Sequence, residues 1–154
     1  RAELSRQPVD LSQLASYVAE DLRRQVPGRE VTLHVEPGLT VNGDPTLLRI
    51  VLENLLGNAW KYTGKCRDPA VWLLRCPQRP DTFTVRDNGT GFDMRFADRL
   101  FGVFQRLHSA SDFQGTGIGL ATVRRIVRRH GGEVWAEAEV DRGASFHFTL
   151  PPQG

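Results

Sequence analysis

The chain has 154 residues, 40% of them hydrophobic, enough for one domain with a buried core. Its 20 Lys and Arg against 18 Asp and Glu leave a net charge of only +2, which argues against a surface built to coat nucleic acid or another polyanion. Two cysteines, Cys66 and Cys76, make neither a C-x-x-C pair nor a dense framework, no apolar run approaches the roughly 18 residues of a membrane span, and the first residues lack a signal-like apolar stretch; the expectation is a cytoplasmic, disulfide-free chain.

From Asp10 to Val26 the apolar residues Leu11, Leu14, Val18 and Leu22 recur at spacings of three and four, which predicts a helix with one buried face, stopped by Pro27-Gly28. Val31 to Val35 alternates as a strand does, and Glu36-Pro37-Gly38 turns the chain into a short second strand near Leu39 to Val41. Asp44-Pro45 starts a second helix that persists to about Tyr62, because the carboxylate can accept free backbone amides and Pro suits the first turn. Val71 to Leu74 and Thr82 to Val85 read as strands joined by a turn over Pro77 to Asp81. Loops rich in Gly, Ser, Asp and Asn follow at Asp87 to Asp93 and His108 to Gly119, with a short helical piece around Arg95 to Val103 between them. A third helix is expected from Gly117 to His130, ended by Gly131-Gly132, and the strands Glu133 to Ala138 and Ala144 to Leu150 close the chain. The order is interleaved rather than strictly alternating, which excludes a Rossmann fold. It predicts an α+β protein: a two-layer α/β sandwich, its mixed, mostly antiparallel sheet of about five strands carrying three main helices on one face.

Three segments carry candidate chemistry. In the second helix, at about 100° per residue, Asn54, Asn58 and Lys61 fall within roughly 60° of arc, apart from the apolar stripe of Leu48, Leu52, Leu55, Leu56 and Ala59. Amide oxygens and an ammonium at this spacing suit a magnesium triphosphate, although a plain solvated face has the same look. The loop D-N-G-T-G-F, from Asp87 to Phe92, follows a strand directly. An ionised Asp87 can only accept hydrogen bonds and so favours adenine's amine over guanine's carbonyl; Gly89 and Gly91 permit close backbone approach, and an ordinary turn would also read this way. Q-G-T-G-I-G-L, from Gln114 to Leu120, passes straight into the third helix, where free amides and the helix dipole favour anionic oxygens; a flexible connection is the alternative.

Together and in this order, these segments resemble the Bergerat-fold ATPase superfamily and, within it, the catalytic ATP-binding domain of histidine kinases. N-L-L-G-N-A-W-K-Y-T looks like the asparagine box, D-N-G-T-G-F the first glycine box, F-G-V-F-Q-R-L from Phe101 the phenylalanine box and G-T-G-I-G-L the second glycine box, with R-G-A-S-F-H-F from Arg142 similar to the final hairpin. The resemblance implies ATP and magnesium as cofactors. Asn58 would ligate the metal, Asn54 would support the polyphosphate, and Lys61 and Tyr62 would meet phosphate and ribose. Asp87 would bind the adenine amine, with Gly89 and Gly91 beside the ring. Arg106 would reach the terminal phosphate, and Thr116, Gly117, Gly119 and Leu120 would line the closing loop, with His108 to Gln114 as a short lid. Catalysis would fall to Asn58, Lys61 and Arg106.

Position 54 separates the subclasses. The superfamily's hydrolases and serine kinases carry a Glu there as general base, whereas Asn54 cannot take a proton at neutral pH, which favours a histidine acceptor. None of His34, His108, His130 and His147 heads a helical His-acidic sequence, so the acceptor is expected on an upstream helical dimerisation domain, with residues 1–8 as its tail and linker and 9–154 as the catalytic domain. The start at Arg1 rather than Met agrees with that reading. Expected partners are that domain, a response regulator and, for the full protein, a second copy; neither nucleic acid nor membrane is expected to contact the fragment. Arg124, Arg125, Arg128 and Arg129 read as a solvated or docking face. R-L-H-S before a short lid is similar to PAS- or phytochrome-linked kinases. The alternatives are a non-catalytic nucleotide sensor and a Bergerat-type hydrolase or serine kinase.

Overall fold

The computed structural model describes residues 3–102 and 117–152. Strand β1 (Gln7–Asp10) leads into helix α1 (Leu11–Gln25), followed by β2 (Thr32–Val35), β3 (Thr40–Gly43) and helix α2 (Pro45–Tyr62). The hairpin strands β4 (Ala70–Cys76) and β5 (Arg79–Asp87) come next, then a 3₁₀ helix (Met94–Arg99), helix α3 (Gly117–Arg129) and strands β6 (Val134–Ala138) and β7 (Ala144–Thr149).

The helix boundaries follow their caps. Asp10 accepts the amide of Gln13 at 3.0 Å to open α1, and Asp44 accepts that of Leu47 at 3.1 Å to open α2, with Pro45 in the first turn. Gly28 and Gly131 hold positive φ (+88° and +85°) beyond the ends of α1 and α3, where a side chain would be strained.

Five strands form one sheet in the order β2-β4-β5-β7-β6, parallel only between β2 and β4. The two-residue period sends Val71, Leu73, Phe83, Val85, Phe146, Phe148, Val134 and Ala136 to the face that the helices cover. There they meet Ala15 and Val18 of α1, Leu48, Leu52, Leu55 and Leu56 of α2, and Val123 and Val127 of α3. The opposite face carries Trp72, Thr84, Trp135 and His147, with the Arg86 guanidinium 4.8 Å from the Trp72 ring centroid and that of Arg79 5.5 Å from Trp135. No described helix is long and apolar enough to cross a membrane.

The expected α+β sandwich is borne out, with local differences. The hairpin turn expected over Pro77 to Asp81 shrinks to Pro77-Gln78, because the β4–β5 ladder extends to Cys76 and Arg79 past a register shift at Arg75. The piece expected near Arg95 to Val103 is a 3₁₀ helix that begins at Met94, where Asp93 accepts the Arg95 amide at 2.9 Å; Val103 lies outside the described residues. Residues 7 and 8 join the fold: Gln7 and Pro8 pair with Gly43 and Asn42 in a separate two-stranded ribbon.

Candidate functional site

The site is built around the C-terminal half of α2. Its buried stripe faces the sheet, which leaves Asn54 and Asn58 half-buried and Lys61 exposed on another side, as the helical spacing predicts. Asn54 Nδ2 donates to the carbonyl of Ile50 at 2.9 Å, one turn back in its own helix. Its oxygen therefore faces away from that turn and toward α3, where a Cβ placed on Gly119 would lie 2.5 Å from Asn54 Oδ1. Gly119 thus sets how closely the N-terminal turn of α3 approaches α2, and Leu120 beside it is buried. Gly117 opens the helix.

Asp87 ends β5. The alternation that buries Phe83 and Val85 also turns Asp87 inward, to 4% exposure. Burial pushes its carboxyl up to about 6, against the amides of Gly89 and Ala144, which favour the charged form; the Gly89 amide donates to Oδ1 at 2.8 Å. Tyr62, in the last turn of α2, feels this carboxylate: burial first, and the Asp87 charge second, raise its phenol to about 12.

The glycine loop after Asp87 is pinned from both sides by backbone. A Cβ on Gly89 would stand 2.2 Å from the Tyr62 carbonyl, which also accepts the Thr90 amide at 3.1 Å. Gly91 has φ +62°, and its Cβ would fall 2.1 Å from the Glu139 carbonyl in the β6–β7 turn. The space these glycines leave is therefore filled by the protein's own main chain. Gly143 completes the lock, because a Cβ there would lie 2.2 Å from the Asp87 carbonyl. In sequence, Gly143 carries only the signal of a hairpin glycine.

Arg29 is a second residue with no sequence signal of its role. From the α1–β2 connection it reaches the end of α2 and donates through Nη1 to Trp60 O and through Nη2 to Thr63 O (3.0 Å) and Thr63 Oγ1 (3.1 Å). It caps the last turn, which carries Lys61 and Tyr62, with a charge that suits a helix C-terminus.

The structure thus brings together Asn54, Asn58, Lys61, Tyr62, Asp87, Gly89, Gly119 and Leu120 around one helix end. Gly91 backs the loop from the β6–β7 side. Arg106 and Thr116, the lid from His108 to Gln114 and most of the phenylalanine box lie outside the described residues. Phe101, the first residue of that box, is buried edge-on against Phe146, their centroids 6.4 Å apart. His34 stacks on Trp72 within β2 and β4, His130 is buried at the end of α3, and His147 bonds Thr84 Oγ1 across the sheet.

This arrangement matches a known family over most of the chain: residues 43–154 fit the model described as histidine kinase-, DNA gyrase B- and HSP90-like ATPase. The chain belongs to that family. Similar proteins include a phytochrome and sensory kinases. Cyanobacterial phytochrome A of Nostoc sp. (strain PCC 7120) is 36% identical over 143 residues, covering 87% of this chain and 18% of the relative. The adaptive-response sensory kinase SasA of Synechococcus sp. (strain JA-3-3Ab) is 35% identical over 144 residues, covering 92% and 38%. The chain therefore spans well under half the length of these relatives. Among solved structures, the mycobacterial sensor histidine kinase MprB superimposes with a TM-score of 0.75 at 28% identity, covering 96% of this chain and 99% of that one. Full-length ShkA in complex with AMPPNP gives 0.76 at 32% identity, covering 97% and 32%. By both sequence and fold the chain is similar to the catalytic domains of sensor histidine kinases.

Proposed function

We propose that this ATPase-family domain binds magnesium-ATP and donates the γ-phosphate to a histidine on a separate upstream helical domain, within a dimeric two-component sensor kinase that then phosphorylates a response regulator. The observation that carries the reading is the convergence of buried Asp87 and the glycine-bearing start of α3 on the last three turns of α2.

The residues fit the nucleotide. Asp87 is an acceptor-only carboxylate once ionised, and adenine's exocyclic amine is the donor that would complete it. Tyr62, protonated at neutral pH, would close the ribose side. The α3 N-terminus would present amides and the positive end of its dipole to the polyphosphate, and Gly119 leaves that turn no side chain in the way. Asn58 would offer an amide oxygen to magnesium and Lys61 an ammonium to phosphate, with Arg106 meeting the terminal phosphate and Thr116 and Gly117 lining the closing loop. The bound metal would neutralise charge on the phosphate oxygens. Phosphoryl transfer asks the protein mainly for position and charge, which these groups supply.

Asn54 favours a kinase over a hydrolase. Its oxygen is directed toward Gly119 and its nitrogen is tied to Ile50, and an amide cannot accept a proton from water. Neutral imidazole needs no such base. The test is to mix this chain with the upstream helical domain and labelled ATP. Acid-labile phosphohistidine on the helical domain is expected, with very slow ATP turnover by the chain alone; vigorous hydrolysis without transfer would overturn the assignment.

A further inference from the structure

His130 follows the last turn of α3, at the opposite end of that helix from Gly119 and Leu120, and both of its ring nitrogens are engaged. The amide of Asp44 donates to Nε2 at 3.1 Å, so Nε2 carries no proton; Nδ1 carries it and donates to the Ile126 carbonyl at 2.9 Å. The ring is 1% exposed, and a Cβ on Gly43 would stand 3.0 Å from its Cδ2, so β3 is packed tightly against it. The bond ties the C-terminus of α3 to the residue that caps α2. The segment that leads into β1 is fastened at the same point, because Ser5 donates its amide to Asp44 Oδ2 at 3.0 Å. Arg6 has a buried Nη1 with no hydrogen-bond partner among the described residues, and its charge acts on the imidazole.

The two helices run antiparallel, and nearer the start of α3 Gly119 packs on Asn54. Ten residues separate Asp44 from Asn54 and eleven separate Gly119 from His130, so the two contacts lie about 15 Å apart along α2 and about 16 Å along α3. Helices do not stretch appreciably over that length. An axial slip at the His130 end therefore arrives undiminished at the Gly119 end.

We infer that His130 is a positioning residue for the phosphate side of the nucleotide site: its bond to the Asp44 amide sets the axial register of α3 on α2, and so fixes where the N-terminal amides of α3 stand over Asn54. This rests on the nucleotide reading proposed above, and it makes a distinction that general loss of packing would not. Asp87 lies on the sheet, off this lever, so recognition of the adenine end is independent of it.

The experiment compares His130→Asn, whose short amide can still reach Ile126 but not Asp44, with His130→Gln, whose longer side chain can present an oxygen to the Asp44 amide. A non-hydrolysable magnesium-ATP analogue is titrated by calorimetry and adenosine by chemical-shift perturbation. Loss of one buried acceptor predicts about tenfold weaker binding of the triphosphate by His130→Asn, adenosine affinity within about twofold of the native chain, and recovery of most of the triphosphate affinity in His130→Gln. Unchanged triphosphate affinity in His130→Asn overturns the inference, and so does an equal fall for both ligands, which would mean general destabilisation. A native chain that binds neither ligand overturns the nucleotide reading itself, and the inference with it.

Discussion

A Cβ on Gly119 would lie 2.5 Å from Oδ1 of Asn54, so α3 approaches α2 here with a missing side chain set against an amide oxygen. The amide is not free to turn away, since its nitrogen already bonds Ile50. The distance between the two helices at the proposed phosphate end is therefore set by the absence of a single methyl group.

Gly119→Ala should push the first turn of α3 outward or break the Asn54–Ile50 bond. Helix propensity favours Ala over Gly by about 1 kcal/mol, which offsets part of the crowding cost, so the fold should survive with little change in melting temperature. Binding of a triphosphate analogue should weaken by roughly tenfold or more, because amides displaced by even a fraction of an ångström no longer converge on the phosphates. Calorimetry paired with a thermal melt checks this; native affinity in the variant would show that α3 does not approach the nucleotide.

Asp87→Asn separates recognition from stability. Folding raises the Asp87 carboxyl from 3.8 to about 6, so the folded form binds its proton more tightly than the unfolded one. The group's contribution to stability is fully present below pH 3.8 and is lost as pH rises through about 6. At neutral pH the buried charge therefore costs stability, on the order of 3 kcal/mol, and the neutral amide should melt no lower than the native chain. Nucleotide affinity should nevertheless fall by roughly a hundredfold or more, since an amide NH₂ would face adenine's amine, donor against donor. Unchanged affinity would remove the adenine assignment.

The Asp44 cap was legible in the sequence, as was the polar side of α2, because they depend on residues close in the chain: Asp44 precedes Pro45 and an apolar helical run, and Asn54, Asn58 and Lys61 share a face. The inward turn of Asp87 also follows from the alternation of β5. What escaped depends on contacts between distant segments. Gln7–Asp10 is short and contains Pro8, and it becomes a strand only by pairing with β3. The glycines at 89 and 91 suggested room for a ligand ring, whereas the space they leave is occupied by the Tyr62 and Glu139 carbonyls, which no local pattern announces. Arg29 and His130 each act across more than thirty residues of sequence.

Arg29→Ala removes three hydrogen bonds from the last turn of α2. Bonds to a charged donor of this kind are worth about 1.5–3 kcal/mol, and a fall of that order in unfolding free energy is expected from denaturant titration. The turn holds the Tyr62 carbonyl against Gly89 and Thr90, so the loop that orients Asp87 should loosen and nucleotide affinity should drop as well. Arg29→Lys restores the charge but not the fork and should recover only part of either loss. Full recovery with Lys would show that charge at the helix end, rather than geometry, is what counts.

The pH dependence of stability should carry two opposing slopes. Burial, reinforced by the charges of Arg6 and Arg129, lowers His130 from 6.5, against the Ile126 carbonyl and Asp44, which favour its proton. The unfolded chain thus takes up that proton first, and the contribution of the neutral ring is present above pH 6.5 and is lost as pH falls through it toward the lower folded value. Asp87 acts in the opposite sense over its own window, from about 6 down to 3.8. In an Asp87→Asn background the His130 slope should stand alone, with the urea midpoint falling between about pH 7.5 and about pH 5.5. Adding His130→Gln, which bonds the Asp44 amide without titrating, should flatten that slope. An equally steep fall in the double variant would assign the acid sensitivity to another group.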